Sequence, residues 1–348
     1  MTQENFNSIK EDSFYNKSFI VLFLVVFCFV FFFLFFYNPK PLANNDEDLN
    51  ASLVFDNLEK ISANSYLVGD LLQKKIILEK NKDLHLYPAS IAKLVEAMVV
   101  IDHLPLDKEI KISRYAVSAE GEEGGLQEGE VIKVIDLLKI LLISSSNDAA
   151  LAFEEEIRSI DEDMVDLMNQ KVRSLGMANT AFFDPRGIDR KGNFTTASDL
   201  FILAQNIYQK YPLIGEITQK KEETVFSSDN QIEHHLINTN ILVGQIEELW
   251  GGKTGTTPEA GDCLITFYEF DKREVSKVDN QENQKENTDS FYQFPKNKDK
   301  NQRETENQKT EEKTEEKIPL VIIVLGSNDR FNDTLILYKA FKSFYYQQ

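Results

Sequence analysis

Ser90 and Lys93 lie three apart in the stretch YPASIAKL, at the front of an apolar run. A serine hydroxyl is a weak nucleophile and needs a base. Lysine can be that base when burial or a nearby cation lowers its pKa. On a helix, positions i and i+3 share a face. The first helical turn also leaves backbone N–H groups without intrahelical partners, where a developing oxyanion can bind. Such a pair could form an acyl-enzyme without histidine. Serine and lysine at this spacing are common on solvated helix faces, but the apolar flanks here argue for burial.

Two further stretches carry chemistry. ISSSNDAALA (143–152) sets Ser145 and Asn147 in a polar turn between apolar helices, where plain N-capping by Ser145, Ser146 or Asn147 would also explain them. LWGGKTGTTPEAGDCL (249–264) joins a short apolar lead to a strand. Lys253 and Thr254 offer a cation and a hydroxyl to a carboxylate, and Gly255 lets a substrate backbone approach closely. Alone, this stretch reads equally as a basic turn.

Ser-x-x-Lys, then Ser-x-Asn, then Lys-Thr-Gly is the order found in penicillin-recognising acyl-transferases. The sequence resembles the low-molecular-mass penicillin-binding proteins of the D-alanyl-D-alanine carboxypeptidase type, serine peptidase family S11, over residues 58–348 less an insertion. YPASIAKL is similar to the family's Pro-Ala-Ser-x-x-Lys block, and LLKILLISSSNDAALAFEE to its Ser-x-Asn block. FFDPRGID resembles the Asn-Pro-x-Gly-Leu segment, with Asp184 for Asn and Ile188 for Leu, and TTASDLFILA resembles the helix after it. KTGTTPEAGDCL matches the Lys-Thr-Gly strand. Gly252 departs from the apolar residue usual before the lysine, which should loosen the strand.

The resemblance implies an α/β fold of the α+β kind, an antiparallel sheet flanked by helices with a helical subdomain. It implies Ser90 as nucleophile, Lys93 as general base, Ser145 as proton relay to the leaving amine, and Asn147 as the group holding Lys93 and the substrate amide. Lys253 and Thr254, on the strand with Gly255 and Thr256, would hold the substrate carboxylate. The N–H groups of Ser90 and Thr256 would form the oxyanion hole. The implied substrate is a peptidoglycan stem peptide ending in D-Ala-D-Ala, with β-lactams as covalent inhibitors and no cofactor. A class A β-lactamase would also need a Glu-x-x-Leu-Asn loop, which is absent between Ser145 and Lys253. A D,D-endopeptidase of the same family fits the motifs equally well, and a non-catalytic wall-binding protein would not need every catalytic position intact.

Elements must position these residues. Residues 64–81 read as two strands hinged at Gly69-Asp70. A helix over 90–104 follows Pro88, with Ile91, Leu94, Val95, Met98 and Ile101 at helical spacing. Residues 131–160 read as two helices broken by the Ser-x-Asn turn. Helices over 161–177, ended by Gly176, and 196–211 follow. Strands over 262–270 and 318–326 and an amphipathic helix over 330–346 close the chain. The order suggests a sheet built from both chain ends with a helical insert. Between the last strands, residues 274–317 carry 12 acidic and 9 basic residues and little apolar surface. That composition reads as a disordered insertion.

The net charge of −19 argues against nucleic-acid binding. Cys28 and Cys263 are the two cysteines, and Cys28 falls in the N-terminal apolar run, so the remainder holds no disulfide framework. Cys263 reads as a small core residue. The four histidines form no metal-binding pattern and read as structural or surface groups. Residues 19–37 are nineteen apolar or aromatic residues without charge, close to the roughly 20 a membrane helix needs. Pro41 sits where a signal peptidase would want a small residue, so an uncleaved anchor is preferred over a signal peptide. The basic bias of Lys10 and Lys17 favours a cytoplasmic tail over 1–18 and, past a linker over 38–57, an extracytoplasmic catalytic domain over 58–348.

Overall fold

Apolar alternation and helix caps divide the chain into strands and helices, and the computed structural model describes residues 57–271 and 317–345. The tail 1–18, the segment 19–37, the linker apart from Asn57 and the insertion apart from Lys317 lie outside the described residues. Among the described residues no helix is long and apolar enough to cross a membrane.

In chain order the elements are β1 (Ser65–Asp70), β2 (Lys75–Lys80), α1 (Ala92–His103), β3 (Glu109–Lys111), β4 (Val131–Lys133), α2 (Val134–Ile143), α3 (Asn147–Arg158) and α4 (Met164–Leu175). Then come α5 (Ala197–Lys210), α6 (Pro212–Thr218), β5 (Glu222–Phe226), β6 (Glu233–Ile237), β7 (Leu249–Thr257), β8 (Gly261–Asp271), β9 (Lys317–Ser327) and α7 (Arg330–Tyr345). Five strands form one sheet in the order β2-β1-β9-β8-β7, every neighbouring pair antiparallel. The two chain ends do meet in it: Ser65 on β1 faces Leu325 on β9. Helices α1 to α6 and the ribbons β3-β4 and β5-β6 fill the interval between β2 and β7.

β9 is apolar at nearly every position because both its faces are covered. Leu320, Ile322 and Val324 pack with Leu337 and Phe341 of α7, whereas Val321, Ile323 and Leu325 join the core under the helical insert. β8 splits the same way, with Leu264, Tyr268 and Phe270 on the α7 side and Cys263, Ile265 and Phe267 opposite. The sheet is thus a two-sided wall, and β7 is left at its edge.

Several local readings change. Gly69 and Asp70 are not the hairpin turn; both lie in β1, and the chain reverses over residues 71–74. Gly69 is required by packing, since a Cβ there would sit 2.5 Å from the Phe201 ring. Asp70 organises the later turn, its carboxylate accepting from the N–H groups of Leu72 and Gln73 at 2.9 and 2.7 Å. Residues 131–133 are strand rather than the start of a helix. Helix α1 is not amphipathic in its setting: Ala92 to Val100 are all buried, including Lys93 and Glu96, so no face of those turns meets water.

Candidate active site

Three elements converge on one buried polar cluster. The first is the 3-10 turn Ala89–Ile91, which leads directly into α1 and carries Ser90 at that helix's start. The turn is held in an unusual shape, with Ala89 at φ +46°, a region costly for a residue with a Cβ. Gly187 supports it from the loop between α4 and α5: a Cβ there would lie 1.9 Å from the Ala89 carbonyl. Lys93, one turn along α1, folds back so that its Nζ donates to Ser90 Oγ at 2.8 Å, Asn147 Oδ1 at 2.8 Å and the Arg186 carbonyl at 3.2 Å.

The second element is the break between α2 and α3. Three polar residues there take three different tasks. Ser146 caps α3, its Oγ accepting from Ala149 N–H at 3.0 Å. Ser145, at φ +61°, is thereby free to turn toward Lys253. Asn147 opens α3 and reaches Lys93, while its Nδ2 donates to the Glu120 carbonyl at 2.7 Å and its backbone N–H to the Glu122 carbonyl at 2.7 Å. These bonds fix which end of the amide meets the lysine. Capping, the plain reading of this stretch, holds for Ser146 alone.

The third element is the edge strand β7. Lys253 Nζ donates to Ser145 Oγ at 2.7 Å and to the Thr254 carbonyl at 3.0 Å. Gly255 lies against the nucleophile turn, where a Cβ would sit 2.8 Å from Ser90 N. Thr254 is buried and its hydroxyl pairs with Thr239, so the accessible hydroxyl on this strand is that of Thr256. Thr256 Oγ1 donates to Asp262 at 2.9 Å and receives Arg330. Gly252 does not loosen the strand; it pairs with Thr266, and a Cβ there would meet the Ile265 carbonyl at 2.4 Å. The irregular register lies just before it, between Leu249 and Gly251.

Burial sets the electrostatics. Lys93 and Lys253 are 0% and 1% exposed. Removal from water pushes Lys93 down to about 8, against the opposing charge of Glu96. Burial, and then the charge of Lys93, pushes Lys253 well below the usual lysine range. A lysine at about 8 is a free amine often enough near neutral pH to take a proton from a hydroxyl 2.8 Å away. Cys263, buried beside the site, is pushed up to about 11 by desolvation and is no nucleophile. His234 is structural, its Nε2 bonded to Glu130 at 3.2 Å in a buried pair. Among the described residues no group of three or more His, Cys, Asp or Glu could hold a metal.

All eight motif residues fall in this one region. Sequence reasoning missed four contributors. Arg330, at the start of α7, donates to the Gly255 carbonyl at 2.8 Å. Thr239 holds Thr254, the Arg186 carbonyl holds Lys93, and the Glu120 carbonyl holds Asn147. Two of these act through backbone carbonyls, which side-chain identity does not mark.

Residues 52–279 match the sequence model of a peptidase family described as D-alanyl-D-alanine carboxypeptidase. D-alanyl-D-alanine carboxypeptidase DacF of Bacillus subtilis is 33% identical over 195 residues, 55% of this chain and 50% of that protein. The chain therefore spans half the length of that relative. The D-alanyl-D-alanine endopeptidase of Escherichia coli K12 is 33% identical over 226 residues, 63% of this chain and 71% of that protein. Among solved structures, penicillin-binding protein D2 of Listeria monocytogenes, in its ampicillin-bound form, is 25% identical with a TM-score of 0.56, covering 81% of this chain and 98% of that one.

Proposed function

This chain belongs to the D-alanyl-D-alanine carboxypeptidase family of serine peptidases, and from that premise we propose that it removes the terminal D-alanine from peptidoglycan stem peptides through an acyl-enzyme on Ser90. The observation that carries this reading is the 2.8 Å contact between the buried Lys93 amine and the Ser90 hydroxyl. Ser90 Oγ attacks the carbonyl carbon of the penultimate D-alanine, and its proton passes to Lys93 Nζ. The N–H groups of Ser90 and Thr256 take the oxyanion, where losing one donor typically costs roughly 2.7–4 kcal/mol in the barrier. The peptide C–N bond then breaks, and the departing amine takes the proton that Lys93 accepted, passed on through Ser145, which leaves Lys93 a free amine for the next step. Water attacks the ester, and Ser90 regains its hydroxyl proton as the shortened peptide leaves.

Substrate placement follows from the edge position of β7. An extended peptide can lie along its unpaired side, with its terminal carboxylate toward Lys253 and the Thr256 hydroxyl. A β-lactam presents a carbonyl and a carboxylate to the same groups, and would leave Ser90 acylated. A second reading, cleavage of D,D cross-links, draws support from the endopeptidase of E. coli, which is as similar as the carboxypeptidase of B. subtilis. Residues 19–37 would anchor the enzyme in the cell membrane, with the catalytic domain facing the wall. Extraction of the full chain from membranes by detergent but not by alkaline carbonate would support the anchor; release by carbonate would oppose it.

The deciding experiment assays the full chain and Ser90→Ala on two substrates, a stem pentapeptide ending in D-Ala-D-Ala and a cross-linked muropeptide dimer. D-alanine release from the pentapeptide, lost in the variant, is the expected result. Cleavage of the dimer alone would transfer the assignment to an endopeptidase, and activity retained by Ser90→Ala would end both readings.

A further inference from the structure

One turn beyond Lys93 on α1 stands Glu96, which the mechanism above does not use. Its side chain is 0% exposed, and both carboxyl oxygens lack a hydrogen-bond partner. A carboxylate left that way is costly. The charged groups that act on Glu96 are Lys93 on its own helix, Asp184 and Arg186 from the loop between α4 and α5, and Glu154 from α3. Arg186 is committed to Asp184, its Nε and Nη2 donating to the two carboxyl oxygens at 3.0 and 2.7 Å. Glu154 accepts from Arg158 at 2.7 Å. Of these groups, Lys93 alone is a cation bonded to no carboxylate: its three acceptors are a hydroxyl, an amide and a backbone carbonyl.

Resting on the acyl-enzyme reading, we infer that Glu96 is a positioning residue for the catalytic proton: its buried, unpaired carboxyl, three residues along α1 from Lys93, sets the pH at which Lys93 becomes a base. Two arrangements hold that proton at the same net charge. One is ammonium beside carboxylate, the other free amine beside carboxylic acid. Only the second can accept the proton of Ser90. Their mutual attraction favours the first, while burial of an unsolvated carboxylate favours the second. Burial accordingly raises Glu96 and lowers Lys93, and each is the other's strongest charged neighbour. In the first arrangement the carboxylate holds the proton on Lys93, so to the extent that arrangement is populated, removing the carboxyl brings the free amine in at lower pH.

The test is the pH dependence of acylation by a fluorescent penicillin, in the full chain and in Glu96→Gln and Glu96→Met. Gln keeps the shape but takes no proton. Met removes the polarity along with the charge, and because the carboxyl makes no hydrogen bond, no bonded partner is stranded by its loss. The expected result is an acid limb displaced to lower pH in both variants. Each unit of displacement makes acylation tenfold faster at pH values below the parent's limb. An unmoved limb with a uniformly lower rate would mark Glu96 as structural and overturn the inference, as would failure of Glu96→Met to fold. A parent chain that is not acylated, or a Ser90→Ala chain that is, would instead remove the acyl-enzyme reading, and the inference with it.

Discussion

Replacing Asn147 with aspartate puts a carboxylate where an amide oxygen now stands, 2.8 Å from Lys93 Nζ. The shape is kept and one charge is added. At that distance and an effective dielectric near 20, Coulomb's law gives about 6 kcal/mol of attraction as an upper bound. The new carboxylate is itself partly desolvated and faces the Glu120 carbonyl that Nδ2 now satisfies, so the net effect is smaller. An opposite charge this close typically raises a basic group by about 1–3 units. Lys93 starts at about 8, so near pH 7 roughly a tenth of the molecules hold the free amine. In Asn147→Asp that fraction, and with it the acylation rate, should fall about 10–1,000-fold at pH 7. The loss should shrink about tenfold per unit as pH rises, because alkaline pH restores the free amine. Stopped-flow acylation by a fluorescent penicillin between pH 6 and 10 reads this directly, with Asn147→Ala as the uncharged control. An acid limb at the same pH in Asn147→Asp and parent would refute the assignment of Lys93 as the base.

Three other outcomes follow from the same geometry. Arg330→Ala removes charged hydrogen bonds to the Gly255 carbonyl and Thr256 hydroxyl; at about 1.5–3 kcal/mol for such bonds, acylation efficiency should drop roughly 10–100-fold while the melting curve stays cooperative. Replacing residues 272–316 with a short Gly/Asn turn should leave acylation unchanged, since Asp271 and Lys317 are already cross-strand partners; if the segment's composition makes it a flexible connection, shortening it about tenfold should raise stability by about 2 kcal/mol in urea titrations. The His234 imidazole is raised above 6.5 chiefly by its bond to Glu130, so protonation stabilises the fold fully below pH 6.5 and this contribution fades as pH climbs through the folded-state value. Thermal melts of parent and His234→Gln should therefore differ more at pH 5.5 than at pH 8.5, and an equal difference at both would contradict the pairing.

The motif residues could be found in the chain because their chemistry demands particular side chains at particular spacings. What surrounds them could not. Arg330 is a lone arginine beyond the 274–317 stretch, and nothing in its neighbours links it to β7. Glu96 looks like an ordinary polar position on an amphipathic helix; only the burial of α1 on every side turns it into an unpartnered acid. The long periodic helices were legible because several turns repeat one pattern. The ribbons β3-β4 and β5-β6 are three to five residues per strand, too short for alternation to stand out. Gly69-Asp70 misled because a dipeptide that usually makes a turn here answers a packing demand from Phe201 and caps a turn further on.

The central claim is that Ser90 becomes acylated, with Lys93 taking its proton. Intact-mass measurement of the full chain after exposure to benzylpenicillin, followed by peptide mapping, tests it most directly. The account predicts one added penicillin on the peptide that carries Ser90, and none on Ser90→Ala or Lys93→Arg after the same exposure. An adduct on any other residue, or the same adduct formed at the parental rate in Lys93→Arg, would contradict it.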